Sequence, residues 1–172
     1  MNKQELFYNY VNKEHRERKK GYFYASEVAS IIKGYLKPKD FYKPRPIKEC
    51  NGVISGMAFE AEFKRMLESN NRKFTHEPRY EVKFDDIVIT VKPDFEFEDY
   101  VIETKFPYRL GTADDYLERY KHQLELEHQA TKKPVKLGIF KHPFDIDFYP
   151  YKPSKKTFKE VKVALQNFNK KL

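Results

Sequence analysis

Asp94 follows a proline at the close of the most apolar hairpin in the chain, and nine residues later Glu103-Thr104-Lys105 lies inside the next strand. Side chains alternate along a strand, so Val101, Glu103 and Lys105 share a face, with Glu103 and Lys105 ~6–7 Å apart. Asp94, at the end of the paired strand, reaches the same spot. Two carboxylates at a strand edge make a hard-oxygen site suited to Mg²⁺ or Mn²⁺. A lysine beside that site can hold or activate a water for attack on a phosphate. Glu-x-Lys alone carries little weight, because it occurs five times, at Glu17, Glu62, Glu81, Glu103 and Glu160. The weight lies in the joint context: Pro-Asp ends one strand, Glu-x-Lys sits in the next, and a helix follows.

That following helix opens at Thr112, which forms a capping box with Asp115, and runs to about Ala130. Tyr116, Tyr120, Gln123 and Glu127 are spaced 4, 3 and 4, so they form one stripe, partly polar, along the border of the apolar face. Such a stripe suits a helix that lines a cleft, and equally a half-exposed helix with a polar border. Upstream, the pattern predicts helices over residues 3–19, from Ser26 as N-cap to Leu36, and from Gly52 to Leu67, with Phe59, Phe63, Met66 and Leu67 on the apolar face of the third. Residues 37–48, rich in proline and lysine, read as a loop and the best candidate for a mobile segment. Alternating or β-branched runs predict strands at 80–84, 87–91, 95–97, 100–105, 135–140 and 145–151. Ser154 caps a last helix with Phe158, Val161, Leu165 and Phe168 on one face. This order is that of one mixed α/β domain over residues 1–172, with an N-terminal helical portion of about 1–50.

The composition sets the limits around that site. The chain has 172 residues, a mean hydropathy of −0.85 and no apolar run near ~18–20 residues, so a membrane span is not expected. Met1 to Glu5 lead into no apolar segment, which predicts no secretory leader and a cytoplasmic protein. Fifteen Phe and thirteen Tyr supply the large rings that a disordered chain lacks. The formal charge of +8 favours an anionic partner, nucleic acid first. Lys19 and Lys20 end a basic run that begins at Lys13, and Tyr108-Arg109 could stack on a base or pair a phosphate. The bland readings are a solvated helix end and loop packing. No histidine pair has zinc-like spacing with a cysteine partner.

With Asp94, Glu103 and Lys105 in this order, the chain resembles the PD-(D/E)xK nuclease superfamily, and more closely its RecB-like branch, which includes the CRISPR-associated RecB-like exonucleases. The family opens its core helix with Gly-x-x-x-His, the histidine being a metal ligand. Here Gly56 has the position and Glu60 replaces the histidine. The family also carries a glutamine on the helix after Glu-x-Lys, matched by Gln123, with Glu127 where a tyrosine is usual. The serine-led segment from Ser26 to Leu36 resembles the family's N-terminal helix. The only cysteine is Cys50, so the four cysteines of the iron–sulfur members are missing and no iron–sulfur cluster is expected.

The resemblance implies a restriction-endonuclease-like α/β core, a mixed sheet flanked by helices. It implies a metal-dependent DNA nuclease in which Asp94, Glu103, the Thr104 carbonyl and Glu60 ligate Mg²⁺ or Mn²⁺. Lys105 and Gln123 would complete the catalytic set, and Tyr108, Arg109, Tyr116, Tyr120, Lys19 and Lys20 would meet the nucleic acid. DNA with a free end or a single-stranded path is the expected substrate, with protein partners in repair, recombination, phage or CRISPR pathways. The alternatives are a structure- or sequence-specific endonuclease of the same fold and a catalytically silent DNA-binding subunit. Glu62, rotated ~200° from Glu60 on a helix, competes with it as the replacement for the histidine.

Overall fold

The computed structural model describes residues 2–12, 18–44, 47–107, 111–141 and 145–172, without the side chains of 3, 4, 7, 12 and 47–51. In chain order the elements are α1 (Lys3–Asn12), β1 (Tyr22–Tyr24), α2 (Ala25–Ile32), a 3₁₀ turn (Pro38–Asp40), α3 (Ile47–Ser69), β2 (Thr75–His76), β3 (Tyr80–Phe84), β4 (Ile87–Val91), β5 (Phe95–Glu96), β6 (Val101–Lys105), α4 (Ala113–Thr131), β7 (Val135–Lys141), β8 (Asp145–Pro150) and α5 (Lys155–Asn169). The mixed α/β class matches the expectation. The strands, however, form two hydrogen-bonded ladders rather than one: β1-β4-β3 and β2-β5-β6-β7-β8.

The break between them falls at Pro93. Proline has no N–H to donate to a ladder, and here the chain leaves β4 of the small sheet and enters β5 of the large one. Pro93-Asp94 is therefore a crossing between sheets and not the closure of a hairpin. In the large sheet only β6 and β7 are parallel, Glu103 opposite Leu137, and α4 makes the crossover between them. The other pairings there are antiparallel.

Alternation sorts the large sheet into two faces. Val101, Leu137 and Ile139 pack with Tyr116 and Leu124 under α4. Ile102 and Phe140 pack with Phe63, Phe95 and Phe97 under α3. A third cluster joins α2, α5 and β4 through Val28, Ile31, Ile89, Val161, Leu165 and Phe168. β6 is thus central, and Glu103 on it is 2% exposed. No helix of the described residues is long and apolar enough to cross a membrane.

Several boundaries differ from expectation for local reasons. α1 is described as far as Asn12, and residues 13–17 of the basic run lie outside the described residues. Leu6 and Tyr10, which recur at helical spacing along this segment and so read as an apolar face, are exposed. α2 begins at Ala25, so Ser26 is inside its first turn and Tyr24 is the N-cap, with the Glu27 carboxylate accepting the Tyr24 N–H. Tyr35 lies beyond the helix and is exposed. Of the expected 37–48 loop, residues 37–44 are anchored by Phe41, wholly buried against Phe23 and Phe168, 45 and 46 lie outside the described residues, and 47–48 already belong to α3. β1 was not foreseen, because three residues give no readable period; it joins β4 in parallel.

Gly21 sets the entry to β1. Its φ is +82°, its N–H donates to Asn169 Oδ1 at 2.8 Å, and its carbonyl accepts the Val88 N–H at 2.8 Å. An added Cβ would stand 2.6 Å from the Asp86 carbonyl oxygen. Gly34 also has a positive φ, +71°, with nothing within 4 Å of a Cβ. Gly34→Ala should therefore lose only the left-handed backbone term, about 1–2 kcal/mol. Gly21→Ala adds a backbone clash and should lower the denaturation midpoint clearly further. Equal losses in the two variants, measured by denaturant titration, would contradict this account.

Candidate active site

The site forms where β5 begins beside the C-terminal half of β6. The antiparallel register of β5 and β6 pairs Phe95 with Ile102, which brings Asp94, one residue earlier, level with Glu103. The Asp94 backbone is held from the other side, its carbonyl accepting the Glu77 N–H at 2.9 Å. Asp94 Oδ2 accepts the Thr104 N–H at 2.7 Å and the Thr104 hydroxyl at 2.5 Å. Glu103 Oε1 accepts from Lys105 Nζ, its neighbour on the same strand face, and from Gln123 Nε2 at 2.5 Å. The same Gln123 amide donates to Glu127 Oε1 at 3.1 Å, one helical turn on. Two buried oxygens, Glu103 Oε2 and Glu127 Oε2, have no donor among the described residues except a proton that the two carboxyls can share.

A third carboxylate comes from α3. Glu60 Oε1 pairs with His76 Nε2 at 2.9 Å, and His76 on β2 lies opposite Phe95 on β5. Glu62 instead pairs with Arg65 and is half-buried. The helix thus turns Glu60, and not Glu62, towards Asp94 and Glu103. On the open side, the Tyr120 ring centroid is 5.8 Å from Lys105 Nζ.

Charge is unbalanced here. Burial pushes the Asp94 carboxyl well above the usual range, and the charges of Glu103 and Glu60 add to the rise, against Lys105 and the Thr104 bond. Glu127 is pushed up by burial and then by Glu103. Glu60 is raised by burial, partly offset by its hydrogen bond to His76. Burial alone would lower the Lys105 ammonium, but Glu103 and Asp94 outweigh it and hold the pKa above its ordinary value. Lys105 is therefore a firm cation in this arrangement, not a ready base. Three carboxyl groups, Asp94, Glu103 and Glu127, surround one lysine, and Glu60 stands beyond Asp94 with His76.

Among the described residues no group of three or more His, Cys, Asp or Glu side chains stands in a ligating arrangement. Lys105 and Gln123 occupy one oxygen of Glu103, Thr104 occupies one of Asp94, and His76 occupies one of Glu60. The chemistry of the donor set still fits a hard divalent cation. The donors are oxygens, carboxyl groups outnumber cations, and no donor among the described residues reaches Glu103 Oε2.

Asp94, Glu103, Thr104, Lys105, Gln123 and Glu60 are thus brought together, with Tyr120 at the rim. Tyr116 is a correction. It is 1% exposed, its ring lies in the core beneath α4 and its hydroxyl accepts the Gly111 N–H, so it offers no surface to nucleic acid. Lys19 and Lys20 are exposed at the entry to β1 on the small sheet, outside the carboxylate cluster. Tyr108 and Arg109 lie outside the described residues, as do His15, His142 and the side chain of Cys50. His76 was missed as a neighbour of the site, because a two-residue strand leaves no periodic trace. Glu127 was read on the Gln123 stripe, four residues on, and as a departure from a motif, but not as a member of the site.

No family profile matches the sequence, and no curated protein matches it. Solved structures do match in fold. The protein SSO0001 superposes with a TM-score of 0.73 at 16% identity, over 98% of this chain and 88% of that one. An alkaline exonuclease, LHK-Exo from Laribacter hongkongensis, gives 0.57 at 12% identity, over 95% and 90%. The same exonuclease in complex with dAMP gives 0.61, also at 12% identity and over 95% and 90%. The chain therefore has a fold that exonucleases use.

The raised carboxyls fix the pH dependence of the metal-free protein. An acid whose folded pKa is raised stabilises the fold while protonated, below its unfolded value near ~4, and that contribution is lost as pH rises through the folded value. Thermal unfolding in EDTA should therefore show Asp94→Asn and Glu127→Gln leaving the midpoint near the wild type at acid pH and raising it at pH ~8. Variants that fall below the wild type at every pH would contradict the carboxyl excess.

Proposed function

We propose that this protein is a divalent-metal-dependent deoxyribonuclease that removes nucleotides from DNA ends, of the RecB-like branch of the PD-(D/E)xK superfamily. The observation that carries the reading is the pair Asp94 and Glu103 around Lys105, with Glu60 beside Asp94 and a buried Glu103 oxygen that no donor among the described residues reaches. Its fold likeness to an alkaline exonuclease supports action on DNA ends. That exonuclease has also been solved with dAMP, a fragment of the polymer proposed as substrate.

Asp94, Glu103, the Thr104 carbonyl and Glu60 would hold the ion. Mg²⁺ or Mn²⁺ supplies Lewis acidity towards a phosphate oxygen and makes its bound water more acidic. The chain's own groups do the rest. Thr104 pins Asp94 through two hydrogen bonds, so that carboxylate does not have to be ordered when substrate arrives. Gln123 fixes Glu103 from α4 in the same way. Lys105, kept protonated by its acidic neighbours, donates to the phosphoryl oxygens as negative charge grows on them. Glu60 is oriented by His76 and completes the oxygen set from the opposite side of Asp94.

End-labelled linear and circular DNA, each with Mg²⁺, Mn²⁺ or EDTA, test the reading. Cleavage should need metal and a free end. Asp94→Ala, Glu103→Ala and Lys105→Ala should each lose at least ~10²–10³-fold, the scale of removing one pre-aligned charge from a transition state. Glu60→Gln should weaken cleavage well over tenfold and Glu62→Gln should be nearly silent, since Glu62 pairs with Arg65 away from the cluster. Full activity in folded Glu103→Ala protein would end the assignment.

A further inference from the structure

We infer that the lysine face of α5 is a sequence-blind docking surface for the phosphate backbone of DNA, gripping the polymer beyond its reacting end; this rests on the nuclease reading above. Residues 152–172 hold seven lysines and one glutamate, so 7 − 1 = +6 of the chain's formal +8 lies there. Lys152, Lys155, Lys156, Lys159, Lys170 and Lys171 are exposed. Among the described residues none of these six takes part in an ion pair. Some lysines elsewhere are matched, Lys43 with Asp40, Lys83 with Glu81, Lys92 with Glu77, Lys133 with Glu96 and Lys141 with Asp147; Lys19, Lys20, Lys33, Lys37 and Lys39 are exposed without an ion pair among the described residues, but no acid-poor helix carries them in a row. The one acid of α5, Glu160, is turned to α4, at 3.4 Å from His122 and 3.8 Å from Lys121.

This arrangement works against the isolated fold. Lys155 and Lys159 are one helical turn apart, ~6 Å along the axis, where like charges repel. Lys155 and Lys156 are the first two residues of α5, where the helix dipole disfavours cations, and the first turn holds no acid. An anion along this face relieves both repulsions. The chemistry selects among anionic partners. Val161, Leu165 and Phe168 bury the apolar side of α5 in the core, so the helix has no apolar face to lay into a membrane. Lysine is depleted in protein–protein interfaces, which favour aromatic and arginine anchors. A row of solvated lysines on a rigid helix suits phosphates read by charge alone. α5 is held on α4, the helix that carries Gln123: the Ser154 N–H at the head of α5 donates to Glu125 at 2.7 Å, and Glu160 pairs with Lys121 and His122. Glu125 and Lys121 each stand two residues from Gln123, ~200° round the helix, so α5 packs on the side of α4 turned away from Gln123 and its lysines would meet polymer at a distance from the reacting end.

The test is Lys155→Gln/Lys156→Gln/Lys159→Gln, with binding read by fluorescence anisotropy of duplex DNA in EDTA, where nothing is cleaved. Affinity should fall at least tenfold near 0.1 M salt, and the slope of log K against log salt should shrink by about 2–3, close to 0.9 per lost phosphate contact. The thermal midpoint should stay level or rise, because like charges have been removed. Cleavage of a short oligonucleotide should be unchanged while degradation of long DNA slows. Wild-type affinity and salt slope in the variant would overturn the surface even if the enzyme cleaves. Loss of binding in a protein that cleaves nothing would keep the surface and refute the nuclease reading. Binding to phosphatidylserine vesicles or to polyglutamate that these substitutions abolish, with DNA affinity untouched, would also overturn it.

Discussion

A glutamate side chain 2% exposed on the central strand of a five-stranded sheet is the constraint around which the molecule is built. A carboxylate taken out of water needs a proton, a donor or a cation. Glu103 receives Lys105 from its own strand and Gln123 from the crossover helix, and its other oxygen has no donor among the described residues except a proton shared with Glu127. The crossover that makes β6 and β7 parallel is what delivers Gln123. A polar residue in the α4 stripe is therefore required by the same topology that buries Glu103. Glu127, one turn beyond, shares that amide and adds a further acid to a place already short of positive charge.

The two faces of the large sheet divide the labour. Under α3 the contacts are aromatic: Phe63 and Phe74 meet the Phe95 ring edge-on at 5.2 and 5.6 Å. This packing fixes β5, and with it the backbone of Asp94 one residue before. Under α4 the apolar cluster of Tyr116, Leu124 and Leu137 gives way to Gln123 and Glu127. α3 also brings Glu60 to the sheet edge, where His76 of β2 meets it. The site is thus assembled by packing on both faces and exposed only at the edge where β5 begins.

The placement of the candidate residues was largely legible where it obeys strand alternation. Glu103 and Lys105 two residues apart had to share a face, and Gln123 followed from helical spacing after a capping box that the structure bears out at Thr112 and Asp115. Legibility failed where tertiary packing decides. Tyr116 and Tyr120 are equivalent in period, yet one is core and the other rim, because Gly111 satisfies the Tyr116 hydroxyl inside. His76 sits in a strand too short to show a pattern. The division into two ladders depends on where Pro93 interrupts hydrogen bonding, which spacing alone does not reveal. The charge of α5 was visible in composition, but its unpaired state emerges only once Glu160 is seen facing α4.

The central claim is that the excess of carboxyl groups around Glu103 is a cation site. Calorimetric titration of the apo protein with Mn²⁺ tests it without reference to any substrate. The account predicts saturable, stoichiometric binding that raises the thermal midpoint. Glu103→Gln should remain folded, with an apo midpoint at or above the wild type, and should lose both the binding and the Mn²⁺-induced stabilisation. Undiminished Mn²⁺ binding in Glu103→Gln, or no binding by the wild type, would contradict it.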